Sequence, residues 1–194
     1  MSRVVADTAG AGRRVPGEPG VWVLIAGDLL IFSIFFVTFA YYRRAAPELY
    51  AASQAALGRS FGIVNTLLLL TGSLFVFRGV HLARSVGAQP AGRWILFGAL
   101  TGVSFLLNKV LEWGHLFSQG ISVYTSEYFM FFFMFTGIHA FHVLLGTGVL
   151  FHFHLRMKEP RRAPSAQLTE AGALFWHLVD VLWIVLFALL YLAR

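Results

Sequence analysis

The sequence has no cysteine in its 194 residues. That excludes disulfides, thiolate metal sites and cysteine nucleophiles together, and leaves the redox compartment open. Charge is also scarce. Charged residues make up 12% and hydrophobic residues 58%, against about 25% and roughly 45–50% in soluble domains. At a mean hydropathy of +0.72, too little polar side chain is present to coat a water-soluble globule, so the chain reads as a membrane protein. Its formal charge of +6 then speaks to orientation in a bilayer rather than to nucleic acid, and no nucleic-acid module is recognisable. Residues 1–18 lack the long apolar core of a cleavable signal peptide and read as a mobile tail. Residues 19–194 read as one transmembrane domain.

What is abundant is apolar length. Five stretches, at about Val21–Tyr42, Phe61–Ala83, Trp94–Phe117, Tyr128–Phe153 and Ala173–Leu192, each approach the ~20 residues that a bilayer-spanning helix needs. The fold class is therefore all-α, a polytopic bundle of five transmembrane helices. All six prolines fall outside these stretches, as helix breakers should. Gly87–Gly92 reads as a turn between spans two and three, and Arg156–Thr169 as a polar loop before span five. With the N-terminus inside, the inner side collects Arg3, Arg13, Arg14, Arg84, Arg93, Arg156, Lys158, Arg161 and Arg162, with Arg78 at a helix end. The outer side collects only Arg43, Arg44, Arg59 and Arg194. This asymmetry predicts a cytoplasmic N-terminus and a periplasmic C-terminus.

Ionisable side chains inside a span cost a few kcal/mol on insertion scales, so each needs a partner or a purpose. Span one carries Asp28; span three carries Asn108, Lys109, Glu112 and His115; span four carries His139 and His142; span five carries His177 and Asp180. His139/His142 and His177/Asp180 are i,i+3 pairs and Asn108/Glu112 is i,i+4, so each pair shares a helix face. Three readings are open. In the first, the residues knit helices together or grip lipid head groups, as polar contacts in bundles commonly do. In the second, they hold a cofactor: Glu112-x-x-His115 has the spacing of di-iron bundles, although no second copy exists, and His139 or His142 with His177 could ligate a haem. In the third, they relay protons or substrate, although five proline-free spans do not divide into matched halves.

Tyr128–Phe135 is aromatic at six of eight positions, and Gly137, Gly146 and Gly148 follow as small positions for close helix approach. Arg78, His81 and Arg84 recur every three residues at the inner end of span two, a spacing that suits a lipid head group as well as ordinary inner-side charge.

Several strings together resemble subunit III of haem–copper respiratory oxidases. Asn108-Lys-Val-Leu-Glu-Trp113 is similar to that family's Gln-x-x-x-Glu-Tyr. Phe133-Met-Phe-Thr-Gly-Ile-His-Ala-Phe-His-Val143 resembles its Phe-Phe-x-x-Thr-Gly-x-His-Gly-x-His-Val. Phe175-Trp-His-Leu-Val-Asp-Val-Leu-Trp183 resembles Tyr-Trp-His-Phe-Val-Asp-Val-Val-Trp, and Asn65-Thr66 with Thr71-Gly72 matches a further helix. The likeness runs over about residues 17–193. Longer members have seven spans, the first two lacking here, and carry Glu where this chain has Asp28. Five-span members include some encoded with nitric oxide reductases.

The resemblance implies a non-catalytic accessory subunit of the bacterial inner membrane with no cofactor of its own. Haem and copper would lie in the partner core, either oxidase subunit I or a nitric oxide reductase core. It further implies bound phospholipid and support of proton uptake.

Depth along the spans predicts two polar layers. An inner-to-middle layer would hold Asp28, His139, His142, His177 and Asp180, and an outer layer Asn108, Lys109 and Glu112. Asp28 is expected to meet His139, or failing that His142, directly or through one water.

Overall fold

Each apolar stretch forms one helix, and each helix outruns its apolar core. The computed structural model describes residues 19–193. The expected tail 1–18 lies outside the described residues, as do Arg3, Arg13, Arg14 and Arg194. Among the described residues, five helices are long and apolar enough to cross a membrane: α1 (Pro19–Ala45), α3 (Arg59–Ser85), α4 (Ala88–Ser118), α5 (Glu127–Met157) and α6 (Ala166–Phe187), the last continued by a π turn at Ala188–Leu192. The protein is a multi-pass membrane protein.

A short helix not expected from the sequence, α2 (Pro47–Ala55), starts on Pro47 at its first turn, where a missing N–H costs nothing. It packs across the ends of the bundle. Gln54 Nε2 donates to the Leu190 carbonyl at 3.1 Å, Ser53 and Ser126 hydroxyls lie 3.1 Å apart, and Tyr50 donates to Glu127 at 3.5 Å. Burial, then the neighbouring Glu127 carboxylate, push the Tyr50 phenol above its ordinary range.

The helix ends follow local chemistry. Ser126 and Ser165 cap α5 and α6, accepting from Phe129 N and Leu168 N. Gly120, at φ +76°, ends α4 with Ile121 N bonded to the Leu116 carbonyl, a glycine-terminated C-cap. The expected Gly87–Gly92 turn is shorter than predicted. Only Val86 and Gly87 (φ +131°) break the chain, and α4 resumes at Ala88 with Pro90 in its first turn, where proline is tolerated.

Helices α3, α4, α5 and α6 form the bundle. Lipid tails are as apolar as leucine, so close packing rather than hydrophobic exclusion holds such helices. Trp176 of α6 is fully buried in a socket made by glycines of three other helices. A Cβ on Gly102, Gly146 or Gly72 would sit 2.8, 3.1 or 3.3 Å from the indole, and on Gly102 also 2.1 Å from Thr147 Oγ1. Small residues here are what admit the ring. Helix α1 docks differently, through an aromatic seam: Phe35 stacks on Phe135 at 5.7 Å, and Phe39 meets Phe131, Phe135, Tyr50 and Tyr128. The opposite face of α1, including Val23, Leu30, Ile34 and Val37, is exposed.

Candidate functional site: the polar groups of the bundle

The layer expected on the outer side closes on itself. Lys109 and Glu112 are each about 1% exposed, with Nζ 2.5 Å from Oε2. The π turn brings in a third member, Tyr191, whose hydroxyl donates to Glu112 Oε1 at 2.7 Å and accepts from Lys109 Nζ at 3.1 Å. Rings of Trp183, Phe132 and Tyr191 surround the ammonium at 4.7, 5.5 and 5.7 Å, where their π faces favour the cation. The sequence reading missed Tyr191. Asn108 faces away, donating to Asn65 Oδ1 at 2.8 Å and to the Phe61 carbonyl at 3.1 Å across the α3–α4 seam. His115 is exposed against Gln119 and Phe61, so the Glu112-x-x-His115 pair has one member inside and one outside.

The residues expected to form one inner-to-middle cluster are divided among three places. Asp28 meets His142, with Oδ1 3.6 Å from Nε2, rather than His139. His142 Nδ1 donates to the Ile138 carbonyl at 2.8 Å, so Nε2 is the nitrogen left for Asp28. His139 lies one turn away on α5, turned about 60° around the helix, which points it into the bundle instead of toward α1. There it is fully buried between Phe105 and Trp183, at ring distances of 5.5 and 5.2 Å, and neither nitrogen has a hydrogen-bond partner among the described residues. The third place is the α3–α6 seam. Ser73 Oγ lies 2.6 Å from His177 Nδ1, and Asp180 Oδ2 lies 3.9 Å from the same nitrogen. Serine and aspartate on one ring nitrogen cannot act as a Ser–His–Asp relay, which uses both.

The predicted Arg78/His81/Arg84 grouping does not form. Arg78 lies over the Trp94 ring at 5.1 Å, on the α4 side of α3. Arg84 is ion-paired to Glu170 of α6 at 2.7 Å. Six residues of helix turn the two about 120° apart. A cavity of about 170 Å³ includes His81, Arg84, Glu170 and His177, and Glu170 already balances its arginine.

The histidines proposed as haem ligands are committed to different neighbours: His142 to Ile138 and Asp28, His177 to Ser73, and His139 to two aromatic rings. Among the described residues, no group of three or more His, Asp or Glu side chains is placed to hold a metal ion.

The cytochrome c oxidase subunit III family model matches residues 18–193. The chain belongs to the cytochrome c oxidase subunit III family. It is 31% identical over 176 residues to cytochrome c oxidase subunit 3 of Corynebacterium diphtheriae, covering 89% of this chain and 85% of that one. It is 29% identical over 175 residues to the Synechocystis protein of the same name, covering 89% and 74%. It is 26% identical over 183 residues to quinol oxidase subunit 3 of Bacillus subtilis, covering 89% and 85%. The family match spans all five membrane helices, including the segments that carry Asp28, the α4 and α5 polar residues and the His177/Asp180 pair.

Proposed function

We infer that this chain is the accessory third subunit of a haem–copper terminal oxidase, embedded in a bacterial inner membrane beside core subunit I, with haem and copper held in the core. The observation that carries the reading is the family match across residues 18–193, joined by relatives named as oxidase subunits. Oxidase names among these relatives favour an oxidase core over a nitric oxide reductase core. The quinol oxidase relative makes quinol a second electron donor to test beside cytochrome c.

The contribution assigned to the chain is packing surface, bound lipid and a charged inner face near proton uptake. Among the described residues, Arg78, Arg84, Arg93, Arg156, Lys158, Arg161 and Arg162 lie toward one end of the bundle, and only Arg43, Arg44 and Arg59 toward the other. We place the richer end on the cytoplasmic side.

Affinity purification through a tag on this chain, from native membranes, tests the reading. It predicts co-purification of a larger haem-bearing subunit with oxidase turnover on cytochrome c or quinol. Recovery of the chain with nitric oxide reductase subunits, or with no haem protein, would overturn it.

A further inference from the structure

At the arginine-rich end of the bundle, three cavities open between helices, and they differ in charge. One, lined by Arg156 and Arg162 between α5 and α6, has its Arg162 already paired to Glu159 at 3.2 Å. The one between α3 and α6 holds Arg84 against Glu170 and is internally neutralised. The third, about 330 Å³ between the start of α4 and the end of α5, is lined by Gln89, Gly92, Arg93, His154, Met157 and Lys158. It contains two cations and no carboxylate. The nearby acids are spent elsewhere, Glu159 on Arg162 at 3.2 Å and Glu170 on Arg84 at 2.7 Å.

The floor of this cavity is built. His154 Nδ1 donates to the Gly92 carbonyl at 2.8 Å. Gly92 itself is buried, and a Cβ there would lie 3.2 Å from Met157 Cβ, so a larger residue would crowd the seam. From the two cations, apolar rows run toward the middle of the bundle. Phe97 and Leu100 follow Arg93 at i+4 and i+7, and Leu155 and Phe151 precede Lys158 at i−3 and i−7; all four are exposed. Residues at these spacings share one helix face. Paired cations above two exposed apolar rows match an amphiphile with an anionic head.

We propose that this cavity is a phosphate site that takes the phosphodiester head of an anionic membrane lipid between α4 and α5. The inference deepens the lipid part of the reading above and rests on the chain's place in a bilayer, not on which core it joins. Lys and Arg contribute charge and donors to the phosphate oxygens, Gln89 adds a neutral donor, and the acyl chains follow the apolar rows.

The test is native mass spectrometry of the full chain in detergent, titrated separately with phosphatidylglycerol, phosphatidylcholine and inorganic phosphate. The wild type should retain phosphatidylglycerol over phosphatidylcholine. Each cation near an anionic head is worth about fivefold in affinity, so Arg93→Gln with Lys158→Gln should weaken phosphatidylglycerol about twenty-fivefold. Arg84→Gln, in the neutralised cavity, should leave it unchanged. Binding of inorganic phosphate with the same sensitivity to the double substitution would support the phosphate site and assign it to a soluble anion. Equal retention of the two lipids with no phosphate binding, or an unaffected double variant, would overturn it. The tagged purification fails or succeeds independently of this result.

Discussion

The two polar layers of the bundle use similar residue types to opposite effect. In the outer layer, Lys109, Glu112 and Tyr191 satisfy one another at 2.5–3.1 Å in a dry aromatic shell. In the other, Asp28 stops 3.6 Å from His142, Asp180 stops 3.9 Å from His177, and His139 has no hydrogen-bond partner among the described residues. An ionisable group inside a bundle becomes costly to remove only where the partners close around it. Where they do not, the side chain is a filler, as His139 is, a partly exposed pair, as Asp28 and His142 are, or a buried carboxyl with only a long contact, as Asp180 is.

Substitutions in the two layers should therefore differ in cost. The largest effect is expected from Glu112→Ala, which strands the Lys109 ammonium in an aromatic shell. Loss of about 3–5 kcal/mol is expected for breaking a buried pair, read as a lower unfolding midpoint in detergent. Lys109→Met combined with Glu112→Leu should recover most of it, because apolar replacement of both members restores a matched interior. Tyr191→Phe comes next, at about 1–3 kcal/mol, since it leaves a buried carboxylate oxygen short of a donor. A Tyr191→Phe protein as stable as wild type would mean the network is not closed through the π turn.

In the other layer, Asp28→Asn should cost less than about 1 kcal/mol, the range of partly exposed ion pairs. Its effect should shrink further in the presence of His142→Phe, as a double-mutant cycle would read. Smallest of all, His139→Phe should be near neutral, within about 1 kcal/mol, because a ring of similar shape replaces one whose nitrogens make no bonds. A cost comparable to that of Glu112→Ala would show that His139 has a partner in the membrane.

The five spans and the shared depth of Lys109 and Glu112 were legible because apolar length and rise along a helix are properties of single segments. Tyr191 was not, because it is uncharged and 82 residues from Lys109, and only the packing of the last helix against α4 brings the two together. His139 and His142 were read as one layer from depth alone. Depth is set by the rise along a helix, but partnership is set by rotation, and about 60° suffices to send one ring to α1 and the other to the bundle centre. Arg78 and Arg84 were separated in the same way, with Trp94 and Glu170 as partners that spacing within one helix does not reveal. Helix α2 carried a start signal in Pro47-Glu48, but its nine residues are too short for apolar periodicity to register.

On the proposed function, the intramembrane histidines and acids hold the structure and ligate nothing, and redox chemistry is left to the partner core. An absorbance spectrum with elemental analysis of the full chain, purified free of other subunits, tests it most directly. The account predicts no haem band and no metal above background. One haem or one metal ion per chain would contradict it.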